Sequence, residues 1–328
     1  MRTRRIVVGG VAIGCALLVG VGPPAAASAQ TAPVLRVAVI SDINSSYGTI
    51  GYSPEVTNAI RRIVELEPDL VIGVGDLIAG QRSSPRLERH DLEAMWEAFL
   101  AQVLDPLRTA GIPFLPVPGN HDASASSGFE LERTVYRKQW GTPGFPDLSG
   151  DYPFYYALRL HDVLFVVLDA TTVGPLSRAQ KAWLDAVLES GTGARARVVA
   201  AHLPIHPITR GRERETLSDA NLEALLSRRG VDLFLSGHHH GFFPGFRAGF
   251  LQVSQGCLGS GPRRLIGESS PTPKSFTLVE IGLDGKIRVE AYAGPEFETR
   301  IDPRSLPPEI RFEGVALWRA DLADGSGR

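Results

Sequence analysis

From residue 34 onward the chain alternates unbroken apolar runs with stretches whose apolar residues recur every three to four positions. The runs "VLRVAVISD" (34–42), "DLVIGVGD" (69–76), "IPFLPVPGNHD" (112–122), "RARVVAAHLPIH" (195–206) and "VDLFLSGHHH" (231–240) show no polar alternation. That predicts strands buried on both faces, as in a parallel sheet. Helical period marks "SPEVTNAIRRIVELEP" (53–68), "RLERHDLEAMWEAFLAQVLDPLRTA" (86–110), "SRAQKAWLDAVLES" (177–190) and "SDANLEALLSRRG" (218–230). Ser53 and Pro54 supply a start signal for the first of these and Pro68 a stop, while Gly230 closes the last. "YYALRLHDVLFVVLDA" (155–170) predicts a hairpin turning at His161-Asp162. "FRAGFLQVSQG" (246–256) and "SFTLVEIGLDGKIRVEAYAG" (275–294) predict two more strand pairs, the second turning at "LDGK". The alternation implies an α/β protein with a mostly parallel sheet and added antiparallel strands. No repeat or linker interrupts residues 34–294, so a single domain is expected over 30–294, followed by a proline-rich extension over 295–328.

The strand ends change this from a fold into a site. In open α/β sheets, ligands bind beyond the carboxyl ends of the strands. Here those ends carry Asp42, Asp76, Asn120-His121, His202 and His238–His240. Taken singly, a carboxylate after a strand is a turn former or helix cap, and a histidine is a hydrogen-bonded structural residue. Five such ends in succession point instead to a shared metal centre. Mixed carboxylate, amide and imidazole donors suit Mn, Fe or Zn. Thiolate has no part, because Cys257 stands alone after the leader and reads as a small buried residue.

Composition narrows the setting. The first 29 residues join a basic start, "MRTRR", to an apolar glycine-rich run and a small-residue site at Ala27-Ser28-Ala29. This reads as a cleavable export signal rather than an anchor, and the mature product is expected outside the cytoplasm. Cleavage removes three arginines and takes the formal net charge from −2 to −5. Such a surface has no electrostatic footprint for nucleic acid or anionic membranes.

In order, "SDIN", "GVGD", "GNHD", "AHLP" and "SGHHH" resemble the blocks of the calcineurin-like metallophosphoesterases: D-x-H, G-D, G-N-H-D/E, a lone His and G-H-x-H. The resemblance spans residues 36–240 and implies a four-layer α/β/β/α sandwich. It implies two divalent or mixed-valence cations acting on a small-molecule phosphomonoester or phosphodiester. Asp42, Asp76 and His240 would hold one cation, with Asn44 in the remaining place. Asp76, Asn120, His202 and His238 would hold the other, so Asp76 bridges and His239 points away. His121 would steady the transition state or protonate the leaving oxygen, and Asp122 would either orient an imidazole or form a turn. Asn44 stands where the family has histidine, so the first cation is held more loosely by a harder donor, or Asn44 supports the site from behind. In the similar purple acid phosphatases a tyrosine follows the bridging aspartate by three positions; Ala79 stands there in this chain, so no tyrosinate–iron(III) centre is expected. Arg263 and Arg264, with His206 and its neighbours Arg210 and Arg212, are candidates to meet the substrate anion. The alternative is an inactive relative that only binds a phosphorylated ligand.

Overall fold

The apolar run at 35–40 forms a strand buried almost throughout, and its neighbours on either side are strands of the same kind. The computed structural model describes residues 34–141, 145 and 148–323; the export signal lies outside the described residues. In chain order the first half comprises β1 (Leu35–Ile40), α1 (Pro54–Leu66), β2 (Leu70–Val74), α2 (Arg89–Phe99), α3 (Asp105–Thr109), β3 (Phe114–Val117), α4 (Asn120–Ala123), α5 (Glu130–Trp140), β4 (Ser149–Asp151), β5 (Tyr155–Leu160) and β6 (Val163–Val167). The second half comprises α6 (Arg178–Ser190), β7 (Ala196–Ala200), α7 (Ala220–Arg228), β8 (Leu233–Ser236), β9 (Phe243–Arg247), β10 (Phe250–Ser254), β11 (Ser275–Ile281), β12 (Ile287–Ala293), β13 (Thr299–Arg300), β14 (Glu309–Phe312) and β15 (Val315–Arg319).

Two mixed sheets result. One runs β13-β12-β11-β1-β2-β3, and the other β14-β15-β9-β10-β8-β7-β6-β5-β4. Each has a parallel centre, β1-β2-β3 in the first and β6-β7-β8-β10 in the second. Strand side chains alternate between faces, and the core divides accordingly. Val37, Val39, Ile72, Val74 and Leu115 of the first sheet pack with Phe165, Val198, Leu233 and Val253 of the second. Ala38, Ile40 and Val71 face α1, α2 and α3 instead, and Val166, Val199 and Phe234 face α6 and α7. The layers are therefore α/β/β/α.

Three local features depart from the periodicity. The helix expected over 86–110 is broken by a π turn at Leu100–Leu104, where the Asp105 N–H donates back to Leu100 O. Pro106 follows at once; it lacks an N–H and crowds the carbonyl four residues back, so the ladder shifts register ahead of it. Helix α5 was not anticipated: its buried residues are only Glu132, Val135 and Tyr136, in an otherwise charged segment. The segment set apart as a C-terminal extension supplies β13 to one sheet and β14–β15 to the other, with Ile310 and Leu317 in the intersheet core. The hairpin turns fall as expected, and His161 and Asp162 both have positive φ, as a two-residue turn of this hand requires.

Candidate metal centre

The parallel strands stop short of the residues that matter. β1 ends at Ile40, β2 at Val74, β3 at Val117, β7 at Ala200 and β8 at Ser236. Asp42, Asp76 and Asn120 hang from the first sheet, and His202 and His238 from the second, so the site forms where the carboxyl edges of both sheets meet.

One group of donors is Asp42 with His240. The His240 Nδ1–H donates to Gly261 O at 3.1 Å, which leaves the Nε2 lone pair 3.1 Å from Asp42 Oδ1. The other carboxylate oxygen accepts from Ser41 Oγ and from His238 N. Asp42 Oδ1 itself is buried and has no hydrogen-bond donor among the described residues. Burial would raise the Asp42 pKa, yet His240 opposite, by the charge and hydrogen bond that a proton on its Nε2 would supply, lowers it to about 2.

The second group surrounds Asp76. His202 Nδ1–H donates to Val74 O at 2.8 Å, so its Nε2 faces Asn120 Oδ1 at 3.0 Å and Asp76 Oδ1 at 3.2 Å. With the ring neutral, three lone pairs would converge here, so either a proton on Nε2 or a cation must sit among them. Burial works to lower the His202 pKa, and the Asp76 carboxylate more than reverses this, to about 9. Positive charge is what this point requires. The Asn120 amide is held by donating from Nδ2 to Gln81 Oε1 at 2.9 Å, which points its oxygen inward. His238 has Nε2 3.0 Å from Glu215 Oε2, a group that can only accept, so the proton sits on Nε2. Its Nδ1 is then a lone pair, buried without a partner among the described residues. Asp76, His202 and His238 bring one donor atom each within 4.8 Å of one another.

Tight backbone approaches make this convergence possible. A methyl on Gly119 would overlap Asp76 N and Oδ1, and one on Gly237 would overlap Ser41 Oγ.

The remaining expected residues divide. His121 donates its backbone N–H to Asp76 Oδ1 at 2.9 Å, and its ring is tied through Nδ1 to Gly80 O at 3.0 Å. Its Nε2 lies 3.7 Å from Asp76 Oδ2, and Tyr47 stacks on the ring at 4.8 Å. His239 is turned away from the donors. Its Nδ1 accepts from Ile208 N and Thr209 N, and its Nε2–H donates to Glu215 O. Burial drives its pKa down to about 3, so the ring is neutral. Asp122 orients no imidazole. Its carboxylate accepts from Leu77 N, Ile78 N and Gly119 N and so braces the loops after β2 and β3. His206 is engaged by Glu223 at 2.7 Å rather than held out for an anion, and Arg264 is exposed. Asn44 is buried and its backbone N–H donates to Asp76 O at 3.3 Å, but its amide oxygen accepts from Ser260 Oγ at 2.8 Å, and among the described residues its side chain makes no hydrogen bond to Asp42, Asp76 or His240. Arg263 is half-buried near His240, whose carbonyl accepts its backbone N–H at 3.1 Å. Sequence reasoning missed Gln81 and Glu215, which orient Asn120 and His238. Nothing local distinguishes them from other polar loop residues.

The donor set fits metal ions: hard carboxylate and amide oxygens, imidazoles whose second nitrogens are fixed by carbonyl or carboxylate partners, and two buried donor atoms left open. A family model for the calcineurin-like phosphoesterases matches residues 35–242. The chain belongs to this family. Among curated proteins it is 25% identical over 225 residues to purple acid phosphatase 15 of Arabidopsis thaliana, covering 63% of this chain and 40% of that one. It therefore spans less than half the length of that relative. Among solved structures, the purple acid phosphatase PPD1 of yellow lupin (Lupinus luteus) superposes with a TM-score of 0.64 at 16% identity, covering 83% of this chain and 53% of that one. GAP50 of Plasmodium, described as the anchor in the inner membrane complex, superposes with a TM-score of 0.53 at 16% identity, covering 82% and 88%. One fold thus serves a phosphatase and an anchor, and the site must decide what it does here.

Proposed function

We propose that this chain is an exported phosphoric ester hydrolase with a dinuclear metal centre, acting on a small-molecule phosphomonoester or phosphodiester. The observation that carries the reading is the pair of donor groups, in each of which an imidazole nitrogen faces a carboxylate oxygen so that a proton or a cation must sit between them. Asp42 and His240 would hold one cation, with Asp76 shared; Asp76, Asn120, His202 and His238 would hold the other. When bound, two such cations supply Lewis acidity to the phosphoryl group and acidify a water. The chain's own contribution is positional. Gly80 O accepts from His121 Nδ1 and fixes the ring so that Nε2 faces the site, where the doubly protonated ring would give its Nε2 proton to the leaving oxygen. Tyr47 covers the other face of that ring and limits its rotation. The family match and the donor chemistry support this reading, and the basic-apolar leader supports export.

A second reading draws on Asn44. Its amide oxygen is spent on Ser260, which leaves the first cation with fewer protein donors than the second. A protein that keeps only one cation and binds phosphorylated ligands without turnover is the consequence.

One experiment separates the two. Purified mature protein, assayed for metal content and for hydrolysis of aryl phosphate mono- and diesters with Mn, Fe or Zn, is expected to hold two equivalents and to turn over. Asp76→Asn is expected to lose bound metal at both positions and on the order of 10²-fold or more in rate. One tightly held equivalent without turnover establishes the binding reading instead. Two cations retained by Asp76→Asn at full activity would refute the bridge.

A further inference from the structure

Beside the donors stand two guanidinium groups that the fold leaves under-used. Arg212 shares the Glu215 carboxylate with His238, and Arg263 is joined through its backbone to His240. Arg212 Nη1 lies 3.0 Å from His238 Nε2 and pairs with Glu215 at 2.6 Å. Arg263 N–H donates to His240 O. The Arg263 side chain makes no ion pair and no hydrogen bond among the described residues, although its Nε is buried. Arg212 Nε is buried and unpartnered as well. Burial, then the neighbouring Arg212 charge, lowers the Arg263 pKa. Among the described residues only Arg212 is paired, with Glu215, so the Arg263 charge has no ion-pair partner. Holding a half-buried guanidinium in that state is unfavourable unless an anion completes it.

We propose that Arg263, backed by Arg212, grips a terminal oxygen of the substrate's phosphoryl group and so selects phosphomonoester dianions over phosphodiesters. This rests on the hydrolase reading of the same site. The planar fork matches two oxygens of a terminal phosphoryl group and adds a charge-assisted contact. A diester replaces one of those oxygens with an ester oxygen and its carbon group, which carry no charge. Arg263 then loses its partner while remaining partly desolvated. Sites built around such a contact reject the analogue that lacks it far more strongly than apolar pockets reject a misfit.

The test uses the whole mature chain as wild type and as Arg263→Gln, leaving Arg212 in place because it supports Glu215 and His238. Three quantities are read: kcat/KM for an aryl phosphomonoester and for an alkyl aryl phosphodiester, the Kd of inorganic phosphate by calorimetry, and metal content. Arg263→Gln is expected to lose roughly 30- to 100-fold on the monoester and less than about 3-fold on the diester. Phosphate affinity is expected to weaken about 10-fold or more, with metal content unchanged. A parallel fall on both esters, an unchanged phosphate affinity, or a wild type that prefers the diester overturns the proposal. A wild type that holds its metals and hydrolyses neither ester refutes the hydrolase reading, and the phosphate affinity of the two proteins then judges the clamp by itself.

Discussion

Asp42, Asp76, His238 and His240 hold φ at 49°, 55°, 64° and 54°, in the left-handed region that side chains other than glycine seldom enter. Four of the strand-tip donors share this departure. Its effect is to turn each side chain out of the strand's alternation and back over the sheet edge. Such conformations cost on the order of 1–3 kcal/mol each and persist where surrounding contacts over-determine them. Here Asp42 N–H is held by Gly75 O at 3.1 Å, and His238 N–H by Asp42 Oδ2 at 3.0 Å. The glycines between them leave the space. Gly119→Ala tests this directly, because its methyl would press on Asp76 N and Oδ1 and on Asp122 Oδ2. The variant is expected to fold with stability lowered by about 1–3 kcal/mol. Its metal affinity is expected to fall at least 10-fold, read by metal titration, because a ligand displaced by an ångström binds poorly. Wild-type affinity in that variant would mean that the Asp76 loop yields freely.

At the scale of elements, the 206–215 loop is joined to the histidine triplet through two rings, His238 at the Glu215 carboxylate and His239 at the loop backbone. His239 accepts from Ile208 N at 3.1 Å and Thr209 N at 3.3 Å, donates to Glu215 O at 3.0 Å, and its carbonyl accepts from Thr209 Oγ1. That loop carries Arg212 and Glu215, so His239 acts through the parts it holds in place. His239→Ala leaves buried N–H groups without an acceptor and is expected to cost about 2–4 kcal/mol in denaturant unfolding. Rate is expected to fall roughly 3- to 30-fold at saturating metal, against on the order of 10²-fold or more for His238→Ala or His240→Ala. If His239→Ala proves the most damaging of the three to metal content, the orientation of the triplet is wrong.

Across the whole molecule, Glu223 on α7 gathers distant pieces: His206 from the loop, Arg247 from β9 and Gln252 from β10. Burial would raise the Glu223 pKa, but these partners, His206 first, hold it at about 2 against an ordinary 4.5. A carboxyl whose pKa is lowered by folding binds protons more readily in the unfolded chain. Its contribution to stability is therefore complete above about pH 4.5 and is lost as pH falls toward 2. Glu223→Gln is expected to be less stable than wild type near neutrality. Its stability is expected to decline more shallowly between roughly pH 5 and 3, measured as urea midpoints across that range. Parallel declines would show that other carboxylates dominate acid unfolding.

Much of this protein is written locally. Apolar runs placed β1, β2, β3, β7 and β8, because a strand buried on both faces must be continuously apolar. The ends of those runs named the donors in order. Charged helix α5 and strands β13–β15 were illegible, because their few buried positions make no period against a polar background. The site's internal logic was illegible for another reason: it depends on pairings far apart in the chain. His202 reaches Val74 across 128 positions, His238 reaches Glu215 across 23, and His240 reaches Gly261 across 21. Those pairings decide which nitrogen of each ring keeps its lone pair, so that chemistry exists only once the two sheet edges meet. They also decide that Asp122 braces backbone, that Glu223 captures His206, and that Arg263 is left without a counter-ion. Sequence by itself determined which donors the chain offers and at which strand ends; only the tertiary structure decided where each donor atom points, because orientation is fixed by partners that no local pattern brings near.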